Sequence, residues 1–131
     1  MPVGKDNSSR KAALVDLKGP QNHWIVGTPP AIRKSSPLYS KWVQMAYTNS
    51  KDSVQEDERL HSHSKSEEYY LVIKGALVVR VDKSDVRVGP MQLLKVPKKV
   101  PHKVTRQEPP LTCFTIRVPS ALPSEKTIIE E

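Results

Sequence analysis

The chain has 131 residues, with 21 lysines and arginines against 14 aspartates and glutamates, 12 prolines, four histidines and one cysteine. That length suits one domain, which at this size buries roughly two-thirds of its unfolded surface and needs no disulfide or metal staple merely to fold. The lone Cys113 excludes an intramolecular disulfide framework and a CxxC metal site, and no apolar run approaches the roughly 18 residues of a membrane helix.

Residues 1–12 read as a polar, flexible N-terminal tail without the apolar stretch of a signal peptide, so a cytoplasmic protein is expected. Residues 13–18 read as a short strand or turn. Residues 23–27 (HWIVG) are β-like, residues 28–37 are broken by prolines into a loop, and residues 39–48 read as a strand. A charged connection, 49–59, leads into a dense series of short β signals. Strands are expected at 68–73, 76–82, 86–88, 91–96, 102–106 and 111–118, with turns at Lys74-Gly75, 83–85, Gly89-Pro90, Pro97 and 107–110. Short strands about ten residues apart, with turn chemistry between them, predict an antiparallel all-β sandwich or barrel over residues 13–120. Residues 121–131 read as a C-terminal tail. No helix, internal repeat or second domain is evident.

Alternation assigns the faces. Leu77, Val79 and Val81 fall on one side of their strand, and the charged Arg80 and Asp82 mark the other as outer. In the strand at 111–118, Phe114 and Ile116 favour their own face as core over the face of Cys113, Thr115 and Arg117. In the strand at 39–48, either alternating set can face inward, with Met45 and Tyr47 the more core-like. Cys113 reads as a small buried hydrophobe. His23 has no partner by spacing and reads as a structural or surface histidine.

The chemistry concentrates in the remaining histidines. His61-Ser62-His63 has the two-residue period of a strand, so both imidazoles point to one face, as two ligands of one metal require. Glu68 lies at an odd offset from His63, but the polar residues between can turn the chain and aim it inward again. His102 opens a later strand. Imidazole and carboxylate together suit Zn, Fe, Mn, Ni or Cu and leave coordination sites for water or substrate.

The net charge of +7 admits anionic partners. Its one local concentration is Lys95, Lys98, Lys99, Lys103 and Arg106. No aromatic residues interleave with it, so a stacking platform for single strands is not indicated and nucleic acid is disfavoured. A solvated basic surface and a site for an anionic metabolite remain.

His61-x-His63, four residues, Glu68, six residues and Gly75 resemble the first motif of the cupins. Gly89, Pro97 and His102 resemble their second motif, so the likeness spans residues 61–102. The pattern departs from the family at Gln55, Lys99 and Arg106, where the family has glycine, glycine and asparagine. The resemblance implies a double-stranded β-helix, a small jelly-roll barrel. It also implies a divalent transition metal inside the barrel, at the positions that match the family's ligands: His61, His63, Glu68 and His102. With Glu68 inward, Tyr70 shares its face and either lines the cavity or packs in the core. The implied function is a metal-dependent enzyme acting on a small metabolite, as an isomerase, lyase or dioxygenase, and the Lys95–Lys103 cluster near the barrel mouth would suit an anionic group on it. A non-catalytic small-molecule binding or sensor protein is the alternative. A homodimer, to which residues 1–40 contribute strands, is the further expectation from this resemblance.

Overall fold

The structure, a computed structural model, describes residues 12–18, 21–52 and 58–131. The expected tail at 1–11 and the departure at Gln55 lie outside the described residues. Eight strands follow in order: β1 (Gln21–Val26), β2 (Gln44–Ser50), β3 (His61–His63), β4 (Glu67–Val81), β5 (Ser84–Val88), β6 (Gln92–Val96), β7 (His102–Val118) and β8 (Lys126–Ile128). They form one curled, antiparallel sheet, the all-β barrel expected from the spacing. Residues 13–18 are exposed, except the half-buried Leu17, and carry no regular structure.

Two long strands, β4 and β7, form the spine. They pair antiparallel from Glu67 opposite Val118 to Val81 opposite His102. The first half of β4 lies between β6 and β7, and its second half between β5 and β7. β7 in turn pairs with β2 along its C-terminal half and with β3 at His102. β1 caps the β2 edge.

Two expected turns are absent. Lys74-Gly75 lies within β4 and residues 107–110 lie within β7, at matched irregularities of the ladder. Gly75 has φ +78. A Cβ there would collide with the backbone oxygen of Pro110 and lie 2.6 Å from that of Glu108. Glycine is therefore required where the two strands bend across each other. The irregularity has a second consequence. Glu68, Tyr70 and Val72 point inward before it, and Leu77 and Val79 after it. These sets are an odd number of residues apart, so a strand without a register shift would put them on opposite faces.

The core holds Tyr70, Val72, Leu77, Val79, Val88, Val96, Leu111 and Cys113. This corrects the reading of the last strand, because the face of Cys113, Thr115 and Arg117 is the inner one. Phe114 instead packs on the opposite face against Tyr47, its cross-strand partner, at 5.1 Å between ring centroids. Ala46 and Thr48, not Tyr47, line the barrel cavity.

Residues 121–131 are also more than a tail. A 3-10 turn, Pro123–Glu125, leads into β8, which pairs with β3 from His61 opposite Ile128 to His63 opposite Lys126. β3 meets β7 at a single residue pair, so β8 supplies its other edge with hydrogen-bond partners. Lys126-Thr127-Ile128 is wholly exposed and shows no apolar alternation that would mark a strand in sequence. Lys99 takes the left-handed conformation that favours glycine, with φ +69. Arg106, at the family's asparagine position, pairs with Glu108 at 2.9 Å.

Candidate metal centre

The ladder brings His61 opposite His102, and the period of β3 sets His63 on the same side. The three rings pack with centroids 4.5–5.5 Å apart. Glu68 enters from β4 and is 1% exposed. One potential ligand atom from each of His61, His63, Glu68 and His102 lies within 4.8 Å of the others. The residues singled out in the sequence therefore converge at one buried point. Tyr70 is buried, donates to Glu68 Oε2 at 2.6 Å and lines the cavity, so it serves core and cavity together.

The hydrogen bonds around the rings select tautomers. His61 Nδ1 lies 2.7 Å from the Arg59 carbonyl, and His102 Nδ1 lies 3.0 Å from the Val100 carbonyl. A proton on each Nδ1 is donated outward, which turns both Nε2 atoms inward: that of His61 keeps its lone pair, and that of His102 donates to Glu68 Oε2 at 2.6 Å. His61 Nε2 and both ring nitrogens of His63 are buried without a hydrogen-bond partner. An orphaned buried polar atom costs about 1–3 kcal/mol. Three together, facing a carboxylate, fit a bound cation.

The electrostatics agree. Burial, aided at His63 by the charge of Arg117, pushes the imidazoles of His61 and His63 down from 6.5 to about 4. Both are neutral at pH 7 and free to ligate. Burial alone would raise the Glu68 carboxyl, but hydrogen bonding from His102 and the charge of Arg117 outweigh it and hold it below its ordinary value. Burial works against a charged His102, yet its 2.6 Å contact with Glu68 turns the net shift upward. Burial and the adjacent Glu68 raise the Tyr70 phenol, which stays a neutral donor.

Beside this cluster lies a cavity of about 450 Å³ lined by His61, Tyr70, Thr115, Arg117, Trp24 and Lys126, among others. Arg117 did not emerge from the sequence. Its Nε donates to Glu68 Oε1, and its guanidinium lies 4.6 Å from the Trp24 ring centroid. The available signal was a charge on an alternating face with Cys113 and Thr115. Glu125, 4.0 Å from His63 Nδ1 and accepting from the Ser66 N–H, was also missed, because it arrives from the segment read as a tail. His23 is exposed at the edge of the cavity. The basic cluster is elsewhere: Lys95 pairs with Glu67 at 3.1 Å and Lys103 with Glu131 at 2.8 Å, and none of the five residues lines the cavity. Arg117 and Lys126 are its lysine and arginine lining. Among the described residues, no helix is long and apolar enough to cross a membrane.

A family model described as a cupin domain matches residues 52–117. No curated protein matches the chain. Among solved structures, the chain is similar to a protein from Planctomyces limnophilus, with 15% identity, a TM-score of 0.62, and 89% of this chain and 96% of that one covered. A cupin protein from Bacteroides fragilis is similar at 11% identity, with a TM-score of 0.60 and coverage of 94% and 100%. The Streptomyces nucleoside dehydratase Pac13 is similar at 13% identity, with a TM-score of 0.57 and coverage of 70% and 71%. At these identities the likeness establishes the fold, the double-stranded β-helix barrel.

Proposed function

The chain belongs to the cupin domain family, and on that footing we propose that it is a metal-dependent enzyme acting on a small, anionic metabolite. The divalent transition metal is held by His61, His63, Glu68 and His102. The observation that carries this reading is the convergence of buried, unpartnered histidine nitrogens on Glu68 beside a cavity. A cavity of about 450 Å³ is in the range of small-molecule sites. Among the described residues that line it, Lys126 and Arg117, the latter engaged with Glu68 through Nε, face the carboxylate of Glu58, which supports an anionic ligand.

When bound, the metal supplies a Lewis acid that polarises a substrate oxygen, the chemistry shared by isomerases and lyases, or a dioxygen site if it is redox-active. The side chains do the rest. Outward hydrogen bonds from His61 and His102 fix their rings. Tyr70 and Arg117 fix both oxygens of Glu68. Tyr70 also presents a neutral hydroxyl at the cavity wall, and Trp24 and Val104 add apolar wall to it.

Elemental analysis of untagged, unchelated protein, beside the His61→Ala/His102→Ala double variant, tests this. Near-stoichiometric metal in the native protein and its loss in the variant are the expected result. Zinc or manganese would point to isomerase or lyase work, and iron or copper to dioxygen. A native protein that holds no metal even after reloading overturns the proposal and leaves a small-molecule binding barrel.

A further inference from the structure

A second cavity, of about 420 Å³, lies against the first. It is walled by Pro29, Pro30 and Ala31 from the loop after β1 and by Ala121, Leu122 and Pro123 from the segment before β8. The two cavities share Trp24, Arg117 and Lys126, and His63 opens onto the second as His61 opens onto the first. The metal cluster therefore stands at the seam between them.

The two chambers differ in chemistry. The second has proline, alanine and leucine walls. Its buried Gln44 is already engaged, because Gln44 Oε1 accepts the Ala121 N–H at 3.0 Å. Such walls gain from an apolar guest and offer little to a polar one. The seam carries the charge. Glu68 engages Arg117 through Nε, which leaves the terminal guanidinium nitrogens for an anion, and Lys126 adds a second cation. Trp24 presents an aromatic surface to both sides.

From this juxtaposition we infer that the ligand is a small carboxylate with a ring-sized apolar tail. Its anionic head lies at the seam beside His61 and His63, and its tail lies in the Pro29–Leu122 chamber. The inference rests on the proposed function for the identity of the seam as the reacting end. Apart from His63, the chamber is formed by residues outside the four-residue metal cluster, so its use can be read separately.

The test is calorimetric titration of the full chain, zinc-loaded and zinc-free, with 3-phenylpropanoate and with acetate. The readout is the ratio of the two affinities. Burying the added benzyl group should favour 3-phenylpropanoate by about ten- to a hundredfold. Leu122→Gln and Ala31→Gln, which place an amide in the chamber from two separate segments, should each bring the ratio towards parity, with the thermal transition as the check on folding. Equal affinities, binding of neither acid, or a preference that survives both substitutions overturns the inference. Failure to take up zinc, with the preference for the aryl acid intact, overturns the proposed enzyme and leaves the chamber standing.

Discussion

Arg117 sits directly opposite Glu68 in the β4–β7 ladder, and its Nε donates to Glu68 Oε1 while its guanidinium lies against Trp24. Glu68 is thus anchored twice, by Arg117 on one oxygen and by Tyr70 and His102 on the other. A carboxylate so deeply buried is stable as an anion only while its partners remain. Arg117→Leu should therefore cost about 3 kcal/mol in the chelated protein, read by urea unfolding. Arg117→Lys should recover part of the loss, because a point charge replaces the planar donor. A loss below about 0.5 kcal/mol in the leucine variant, the range of an ordinary surface substitution, would contradict this anchoring.

Acid should weaken the fold well before the carboxylates titrate. His61 and His63 stay neutral in the folded chain down to about pH 4, but accept protons near 6.5 once unfolded. Between those values the unfolded chain binds more protons, so stability falls as pH falls. His102, with its raised value, acts in the other direction, and its contribution is complete below pH 6.5 and lost only as pH rises through its folded value. Glu68, held low, adds a further loss below about 4.5. The chelated protein should lose on the order of a few kcal/mol between pH 6.5 and 4. His61→Gln/His63→Gln should flatten that slope in urea titrations at stepped pH, and an unchanged slope in this variant would sink the assignment.

Gly75→Ala should destabilise the chain by at least about 2 kcal/mol. The new methyl meets the backbone oxygens of Glu108 and Pro110, which no side-chain rotation relieves, and φ +78 adds strain for any other residue. Denaturant unfolding of the variant checks this. Wild-type stability would mean that the β4–β7 crossing can yield.

Ending the chain after Ala121 should lower the thermal midpoint by several degrees and weaken metal retention. The deletion removes β8 from the edge of β3 and removes Glu125, whose Oε1 accepts the Ser66 N–H and lies near His63. β3 carries two of the four candidate ligands, so its edge supports the site directly. Thermal unfolding and metal content of the truncated protein test the two consequences. Unchanged values of both would show that β8 plays no supporting part.

The barrel and the four candidate ligands were legible because they depend on local pattern. Short apolar runs between turn residues indicate antiparallel strands, and the two-residue period of His61 and His63 indicates one shared face. Glu68 was aimed inward by the turn expected after His63 and by the resemblance, and Tyr70 followed it by alternation. The expected turns at 74–75 and 107–110 were misplaced because a glycine or proline pair marks a break in regular geometry, and a bend inside a paired strand uses the same residues as a turn. The inner face of β7 was misjudged because Phe114 is the most apolar residue there, and only its packing against Tyr47 shows that the outer side also buries it.

Sequence alone therefore determined the strand content, the His61–His63 face and the donor types, all of which follow from residue identity and a period of two. Tertiary structure decided which long-range partners complete the site: Arg117 on Glu68, Trp24 on Arg117, and β8 with Glu125 beside His63. These contacts join segments 49 or more residues apart in chain. They depend on which distant strands pair, so no local period encodes them.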